Sequence, residues 1–513
     1  MPRPHTSPLL RLCASAFLLS PLLLQPVLAQ GNNGGEGAGP TGPTSSPESA
    51  GYQCDESQCK LPDCLCASVN PPGGLAPQDT PQFVTFTADD AIQSYTTEVM
   101  NHFLAGRRNP NGCAPKMTYF TSLSYTNYSM VTDWYVAGNE IADHTMTHAG
   151  TPNASEIYGN LRALNAFSGI PVSDIEGFRA PLLSWNRGTL ELLQNASFTY
   201  DSSMTSASLA NASGTDAYWP YTLDNGVANN CLEQTDICKG QLKLPGLWEI
   251  PMYSTFEPSS TTGIHLMDPW LDSTNMDDVL DWLKWSFTTH YEGTRQPFGL
   301  YSHPIHLAVD YPGVTNPDNI RAMLQNFLDW VQQHDNVWIV SNQQMLEWIK
   351  NPVPNSQMGN IDAFKCTTPD ISDNICNGMM PNEAGLLNKC QFPDFPWTTC
   401  YACPATEPTP DNPVPAFASG NTRYTLPSNC STAFFDPIKN ECLCTSDSCK
   451  FTDQTRPIGN YSTNLGGGNS GGGTSTRATS AEATAPAKQN SGATTVAASF
   501  AAAVLGVAAA IFA

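Results

Sequence analysis

Between Pro81 and Lys350 the chain alternates short β-rich runs with amphipathic stretches, and this alternation constrains its fold more than any other feature. Pro81-Gln82-Phe83-Val84-Thr85-Phe86-Thr87 opens the pattern. Lys116 to Phe120, Glu140 to Asp143, Ile175 to Arg179, Phe198 to Asp201, Trp248 to Tyr253, Phe298 to His303 and Val337 to Ser341 are further strand candidates. Helices are expected near Ala91 to Ala105, Ser155 to Phe167, Met276 to His290, Asp318 to Gln333 and Gln343 to Lys350. In the one from Asp318, Ile320, Met323, Leu324, Phe327, Leu328 and Val331 fall on a single stripe. Strands separated by helices imply a parallel sheet with helices outside it. Seven or eight such strands point to an incomplete barrel, whose chemistry would lie at the strand C-termini.

Chemically useful residues fall at those ends. Asp89 and Asp90 close the first strand, and Asp143-His144-Thr145-Met146-Thr147-His148 follows the third. Histidines at i and i+4 share one face of a helical turn, so both can reach one cation. Asp90 would complete a three-ligand site with open positions for water and substrate. Adjacent residues leaving a strand can diverge, which leaves Asp89 free as a base. Taken singly these features are weak: nine histidines produce such a spacing by chance, and paired aspartates before a helix serve equally as N-caps. Arg179, ahead of Ala180-Pro181, could hold a carboxylate ionised by a bidentate pair or could be a surface arginine beside a turn. His303, in Leu300-Tyr301-Ser302-His303, suits proton donation near neutral pH, with His306 as its competitor.

Thr87-Ala88-Asp89-Asp90, Gly138 to His148, Gly177-Phe178-Arg179-Ala180-Pro181, Tyr200-Asp201-Ser202-Ser203 and the His303 strand occur in the order and spacing of the polysaccharide deacetylases. Cys54 to Cys66 with Pro72-Gly73-Gly74-Leu75, Trp219 to Asp224 and Pro245 to Met252 resemble the long, secreted chitin deacetylase branch of that family, so the resemblance covers roughly Cys54 to Pro354. It implies a distorted, incomplete (β/α) barrel of the polysaccharide deacetylase type with disulfide-stapled flanking segments. It also implies metal-dependent hydrolysis of N-acetyl groups on chitin, giving chitosan and acetate. One divalent metal ion, zinc or in its place cobalt, would be held by Asp90, His144 and His148. Asp89 would be the general base, Arg179 would orient it, His303 would be the general acid, and the backbone N–H of Leu182 would stabilise the oxyanion. A divalent cation polarises an amide carbonyl and lowers the pKa of water towards ~7. Trp185, Trp219, Trp248 and Tyr218 are available to stack on sugar rings. The sequence departs from the family at Ala88, where phenylalanine is usual, at Leu182, where tyrosine is usual, and at Ser302, where leucine is usual. Other readings stay open: a catalytically inactive chitin-binding wall protein, a deacetylase of another polysaccharide such as acetylated xylan, and, from the two-His-one-carboxylate set alone, an iron oxygenase.

The flanks carry sorting signals. Residues 1–29 read as a signal peptide, with an apolar run from Leu12 and Val27-Leu28-Ala29 ahead of the cleavage point. The 17 cysteines less Cys13 leave 16, an even number that suits disulfides in an oxidising compartment. Zinc at Cys400-x-x-Cys403 or Cys442-Leu443-Cys444 is the alternative. Residues 30–50 should be a disordered linker, 51–355 the catalytic domain, and 356–450 a Cys-rich accessory region that binds wall polysaccharide or braces the barrel. Residues 451–490 read as a Gly/Ser/Thr/Ala-rich stalk and 491–513 as a glycosylphosphatidylinositol-attachment propeptide, with Asn490 or Ser491 as the attachment site. A tail-anchoring helix is the other reading of the last segment. Sequons at Asn127, Asn153, Asn195, Asn211, Asn429 and Asn460 fit a glycosylated, secreted protein at the cell surface or wall. The net charge of -23 opposes nucleic acid as a partner and is compatible with a neutral or cationic polymer. The resemblance implies chitin as a partner, and the lipid anchor adds the membrane.

Overall fold

The computed structural model describes residues 52–229, 237, 242–260, 263–308, 317–444 and 449–456. The expected signal peptide, linker and propeptide, Cys231, Cys238, the Asn460 sequon and both attachment candidates, Asn490 and Ser491, lie outside those residues. No helix among the described residues is long and apolar enough to cross a membrane.

The sheet is built around β1 (Gln82–Asp90), buried at every position but its last, as a central strand covered on both faces must be. In chain order there follow α1 (Ser94–Leu104), β2 (Thr118–Thr121), α2 (Tyr128–Val136), β3 (Glu140–Asp143), α3 (Ala154–Ser168), β4 (Gly177–Phe178), α4 (Arg187–Asn195) and β5 (Tyr200–Asp201). Next come β6 (Thr205–Ser206), β7 (Tyr221–Thr222), β8 (Trp248–Glu249), β9 (Met252–Tyr253) and the hairpin strands β10 (Thr255–Phe256) and β11 (Ile264–His265). The barrel region ends with α5 (Met276–Tyr291), β12 (Phe298–Ser302), α6 (Pro317–Val331), β13 (Val337–Val340) and α7 (Asn342–Lys350). The sheet runs β12-β1-β2-β3-β4-β5-β8-β7, and β13 also pairs with β1. All its pairings are parallel except β7 with β8. One edge of β1 takes β12 and the other takes β13 and then β2 in line, since Gln82 to Thr85 face β13 and Thr87 to Asp90 face β2. Among the described residues the sheet does not close by a ladder. Its far side reaches β12 through the Tyr253 N–H, which donates to the Tyr301 hydroxyl at 2.8 Å. This is the incomplete barrel that the alternation implies, with the distortion that the resemblance implies.

The side-chain period of two decides what lines the interior. Val84, Phe86 and Ala88 pack outward in the core shared with the helices, whereas Phe83 packs inward with Phe120, Ala142, Tyr200, Trp248 and Trp338. Thr85, Thr87 and Asp89 continue the inward row toward the C-terminal mouth. Ala88 therefore faces the helices, so its departure from phenylalanine changes packing there and leaves the pocket untouched. α6 buries the predicted stripe. Two helices lie outside the expected set, α2 for want of a stripe and α4, which does bury Leu190 and Leu193 on one face, because it is short. α2 (Tyr-Ser-Met-Val-Thr-Asp-Trp-Tyr-Val) is buried nearly all round, and α4 carries Gly188 in its first turn, although Asn186 and Thr189 form a capping box there. The expected run Trp248 to Tyr253 splits into β8 and β9 at Pro251, which has no N–H for a ladder.

The cysteines pair as Cys54–Cys66, Cys59–Cys64, Cys113–Cys366, Cys376–Cys400, Cys390–Cys403, Cys430–Cys442 and Cys444–Cys449. Zinc at Cys400-x-x-Cys403 or Cys442-Leu443-Cys444 is thereby removed, because those sulfurs are committed to bonds. Packing crosses the expected boundary at 356: Met358 and Phe364 complete the barrel's inner cluster with Phe83 and Trp348. Further on, β14 (Asn388–Cys390) and β15 (Trp397–Thr399) form a hairpin against α2. Trp397, 3% exposed, sits 4.5 Å from the Tyr128 ring and 5.5 Å from that of Phe167. Trp397→Ala is expected to destabilise the fold by about 3–5 kcal/mol, seen as a lower Tm. Gly169 ends α3 at φ 66°, and the Tyr401 hydroxyl lies where a Cβ would stand, so both conformation and space require glycine. Residues 451–456, expected to open the stalk, are instead packed. Phe451 joins a small core with Val136, Ile371 and Ile375, and Lys116 Nζ donates to the Arg456 carbonyl at 2.9 Å. The folded body thus continues through Arg456.

Of the sequons described, Asn153, Asn195, Asn211 and Asn429 are exposed. Asn127 is half-buried, its side-chain oxygen accepting from Ser129 and from the Thr398 N–H and hydroxyl.

Candidate active site

Asp89 and Asp90 both reach the barrel mouth, although strand geometry alone would send them to opposite faces. Asp90 adopts φ 84°, a left-handed turn at the strand end, which brings its carboxylate back toward the axis. Asp89, 2% exposed, stays on the inward row and meets Arg179, whose Nη1 donates to its Oδ1 at 2.7 Å. Arg179 is fully buried. It also donates to Thr87 Oγ1 at 2.9 Å, to the Ser202 carbonyl at 3.0 Å and to Ser202 Oγ at 3.2 Å, and its guanidinium lies 4.0 Å from the Phe120 ring centre. Of the two readings of Arg179, the surface one is excluded.

The His144 and His148 rings converge on one oxygen. His144 Nε2 is 3.7 Å and His148 Nε2 3.3 Å from Asp90 Oδ1. The expected helical turn is absent. Thr145 and His148 adopt φ 61° and 59°, and an irregular loop brings the rings together. That loop is pinned from both sides. Asp143 Oδ1 accepts from the Thr145 N–H at 2.7 Å and from Asn160 Nδ2 at 3.0 Å, while the Glu156 carboxylate accepts from the Thr147 N–H at 2.9 Å and its hydroxyl at 2.7 Å. Nδ1 of His144 lies 2.8 Å from the Arg179 carbonyl. A carbonyl only accepts, so that nitrogen carries the proton and Nε2 presents its lone pair. Burial lowers the His144 pKa to about 4, which keeps the ring neutral. Desolvation pushes the Asp90 carboxyl up, but His148 and His303 outweigh it and hold it below its usual range.

These residues fit a cation. Asp90, His144 and His148 each offer one donor atom within 4.8 Å of the others. Asp90 Oδ1 is buried with no hydrogen-bond partner among the described residues, while both histidine nitrogens point at it. A buried acceptor in that state is costly unless an ion satisfies it.

His303 is 8% exposed and is held by a residue that sequence reasoning missed. Asp268 Oδ2 lies 2.5 Å from His303 Nδ1, and Asp268 Oδ1 accepts from the His303 N–H at 2.9 Å. Asp268 is fully buried in a left-handed conformation, φ 46°. Burial pushes the His303 pKa down, but Asp268, with Asp90 and Asp89, raises it overall to about 10. His306, the competitor, stands with its ring 5.8 Å from that of His303, and burial lowers its pKa. The bond from Asp268 goes to His303. The only sequence signal for Asp268 was an aspartate ahead of Pro269-Trp270, 35 residues upstream of its partner.

Leu182 follows Arg179 on a short turn at φ 57°, with its side chain 48% exposed and resting near Gly150. Ser302 is buried and donates to the Thr87 carbonyl at 2.9 Å, so among the three departures Leu182 alone meets solvent at the mouth. The aromatic assignments need correction. Trp185, Trp219 and Trp248 are 2%, 1% and 2% exposed and belong to the core, Trp219 lying 5.8 Å from the Trp348 ring, so none offers a face to a sugar. Tyr218 is half-buried against Tyr221, and its carbonyl accepts from the Tyr253 hydroxyl.

No protein-family model matches the chain. Chitin deacetylase 8 of Bombyx mori is 32% identical over 381 residues, which span 70% of this chain and 93% of that protein. Chitin deacetylase 1 of the same species is 31% identical over 383 residues, 70% of this chain and 68% of that protein. Among solved structures, a family 4 carbohydrate esterase from Streptomyces lividans in complex with acetate aligns with a TM-score of 0.27 at 14% identity, over 50% of this chain and 91% of that one.

Proposed function

The chain belongs to the chitin deacetylase branch of the polysaccharide deacetylases, and from that premise we propose that it removes acetyl groups from chitin, leaving chitosan and acetate, by a metal-dependent hydrolysis. The observation that carries this reading is the convergence of His144 and His148 on the unpartnered Asp90 oxygen, beside a buried Asp89 held by Arg179. Asp90, His144 and His148 would hold the cation, zinc on the ground of the family resemblance. When bound it supplies Lewis-acid polarisation of the acetamide carbonyl and a lowered pKa for water. Asp89 takes a proton from the attacking water, and Arg179 fixes the carboxylate through its Nη1 bond. His303, held cationic by Asp268, protonates the sugar nitrogen as the C–N bond breaks. The Leu182 backbone N–H is assigned to the carbonyl oxygen as it gains charge.

The test is acetate release from N-acetylglucosamine oligomers before and after chelation, with zinc or cobalt then restored. Activity lost and regained with the metal is the expected result. No acetate from any oligomer, with metal bound, would favour the binding-only protein or another acyl substrate. We also infer, from sequence alone, a secreted protein tethered by glycosylphosphatidylinositol. A phosphatidylinositol-specific phospholipase is expected to release it from cells. For the Cys-rich region we favour bracing over polysaccharide binding as its main role, on the support of the Trp397 packing and the Cys113–Cys366 bond.

A further inference from the structure

Tyr125 is a bulky residue at φ 64° with its side chain 42% exposed, a conformation that persists only where neighbours impose it. Here the neighbours are the two catalytic loops. The Tyr125 carbonyl accepts from Gln93 Nε2 at 2.8 Å, three residues after Asp90, and Ser122 N–H donates to the Asp90 carbonyl at 3.1 Å. On the other side Leu123 and Ser124 N–H groups donate to the Met146 carbonyl, between His144 and His148, at 3.0 and 3.2 Å. The Tyr125 backbone is therefore tied to both segments that carry the candidate metal ligands.

A second aromatic comes from the Cys-rich region. Phe395, half-buried, meets Tyr125 edge-on at 6.0 Å. Its turn is rigid. Phe392 stacks on Trp397 at 5.6 Å, the Cys390–Cys403 bond brackets the turn, and Thr398 ties it to Asn127, two residues from Tyr125. The exposed Tyr125 ring, with Phe395 packed edge-on against it, offers a face suited to the apolar side of a pyranose. The two rings present no charge for a neutral polymer to desolvate.

We propose that Tyr125 and Phe395 form a sugar-binding subsite beside the catalytic mouth, so that the Cys-rich region contributes directly to holding a long N-acetylglucosamine chain. The inference rests on the substrate class proposed above. The apolar ring face supplies the contact. Tyr125→Phe therefore retains binding.

The probes are a long and a short N-acetylglucosamine oligomer, and the readouts are calorimetric Kd and acetate-release kinetics with the full metal-loaded chain. Tyr125→Ala and Phe395→Ala are each expected to raise Kd and KM for the long oligomer about tenfold, a loss of roughly 1.4 kcal/mol. The expected kcat and the kinetics on the short oligomer stay as in the wild type, and Tyr125→Phe behaves as wild type throughout. Unchanged Kd for the long oligomer in Tyr125→Ala, or equal losses on both lengths, overturns the subsite. Wild-type binding without acetate release, weakened by Tyr125→Ala and by Phe395→Ala, would uphold the subsite and remove the deacetylase reading. A wild type that binds neither oligomer overturns both.

Discussion

Asp89→Asn is expected to abolish acetate release while the metal stays bound, whereas His144→Ala loses both. The two residues lie close together, yet their geometry separates their roles. Asp89 points along the inward row to Arg179 at 2.7 Å, and His144 aims Nε2 at Asp90. Removing a general base typically lowers a rate by about 10²–10⁴-fold, and the amide cannot accept the water's proton. Stability also falls, because Arg179 is left fully buried without its counter-charge, a loss of about 3–5 kcal/mol when one partner of such a pair is removed. Thermal unfolding recorded beside the kinetics separates loss of chemistry from loss of fold. In His144→Ala one of three donor atoms is gone, and the metal content of the purified protein should drop with activity. Equal metal loss in both variants would contradict the division between base and ligand.

Asp268→Asn is expected to shift the pH profile. The pKa of His303 stands at about 10 because the Asp268 carboxylate, helped by Asp90 and Asp89, overcomes the burial that pulls it down. As general acid the ring acts protonated, so activity fails on the alkaline side as pH rises through that pKa. Asparagine removes the charge but can still accept the His303 N–H, and it tolerates the left-handed backbone at 268. Burial then dominates, the pKa falls and the alkaline limb of kcat moves to lower pH. At pH 8 the ring would be neutral and kcat lower by about 10²-fold or more. Near pH 5 much of the activity should return, because the imidazole is protonated again. An unchanged profile would show that Asp268 does not control the acid.

Most of the barrel was legible because strands and helices write their burial into the sequence at periods of 2 and 3.6. The stripe on α6 appears where its period puts it, and β1, covered on both faces, appears where its unbroken β-rich run lies. α2 escaped because it is buried on nearly every side, so no stripe survives. The aromatic pair escaped for another reason: Tyr125 and Phe395 are 270 residues apart in the chain and meet only through tertiary packing. The three buried tryptophans misled in the opposite sense, since composition reports how many aromatics exist and not which face solvent.

The sequence by itself determined the alternating architecture, the strand ends as the place of chemistry, and the family to which Asp89, Asp90, His144, His148, Arg179 and His303 point. Those are matters of residue type and local spacing. The tertiary structure alone decided that a left-handed turn at Asp90 and an irregular loop at His144 to His148 bring three donors together, that Asp268 holds His303, and that the folded body runs on to Arg456. These depend on contacts between segments far apart in the chain, where close packing and the need to pair buried polar groups select the partner, and no local period encodes that choice.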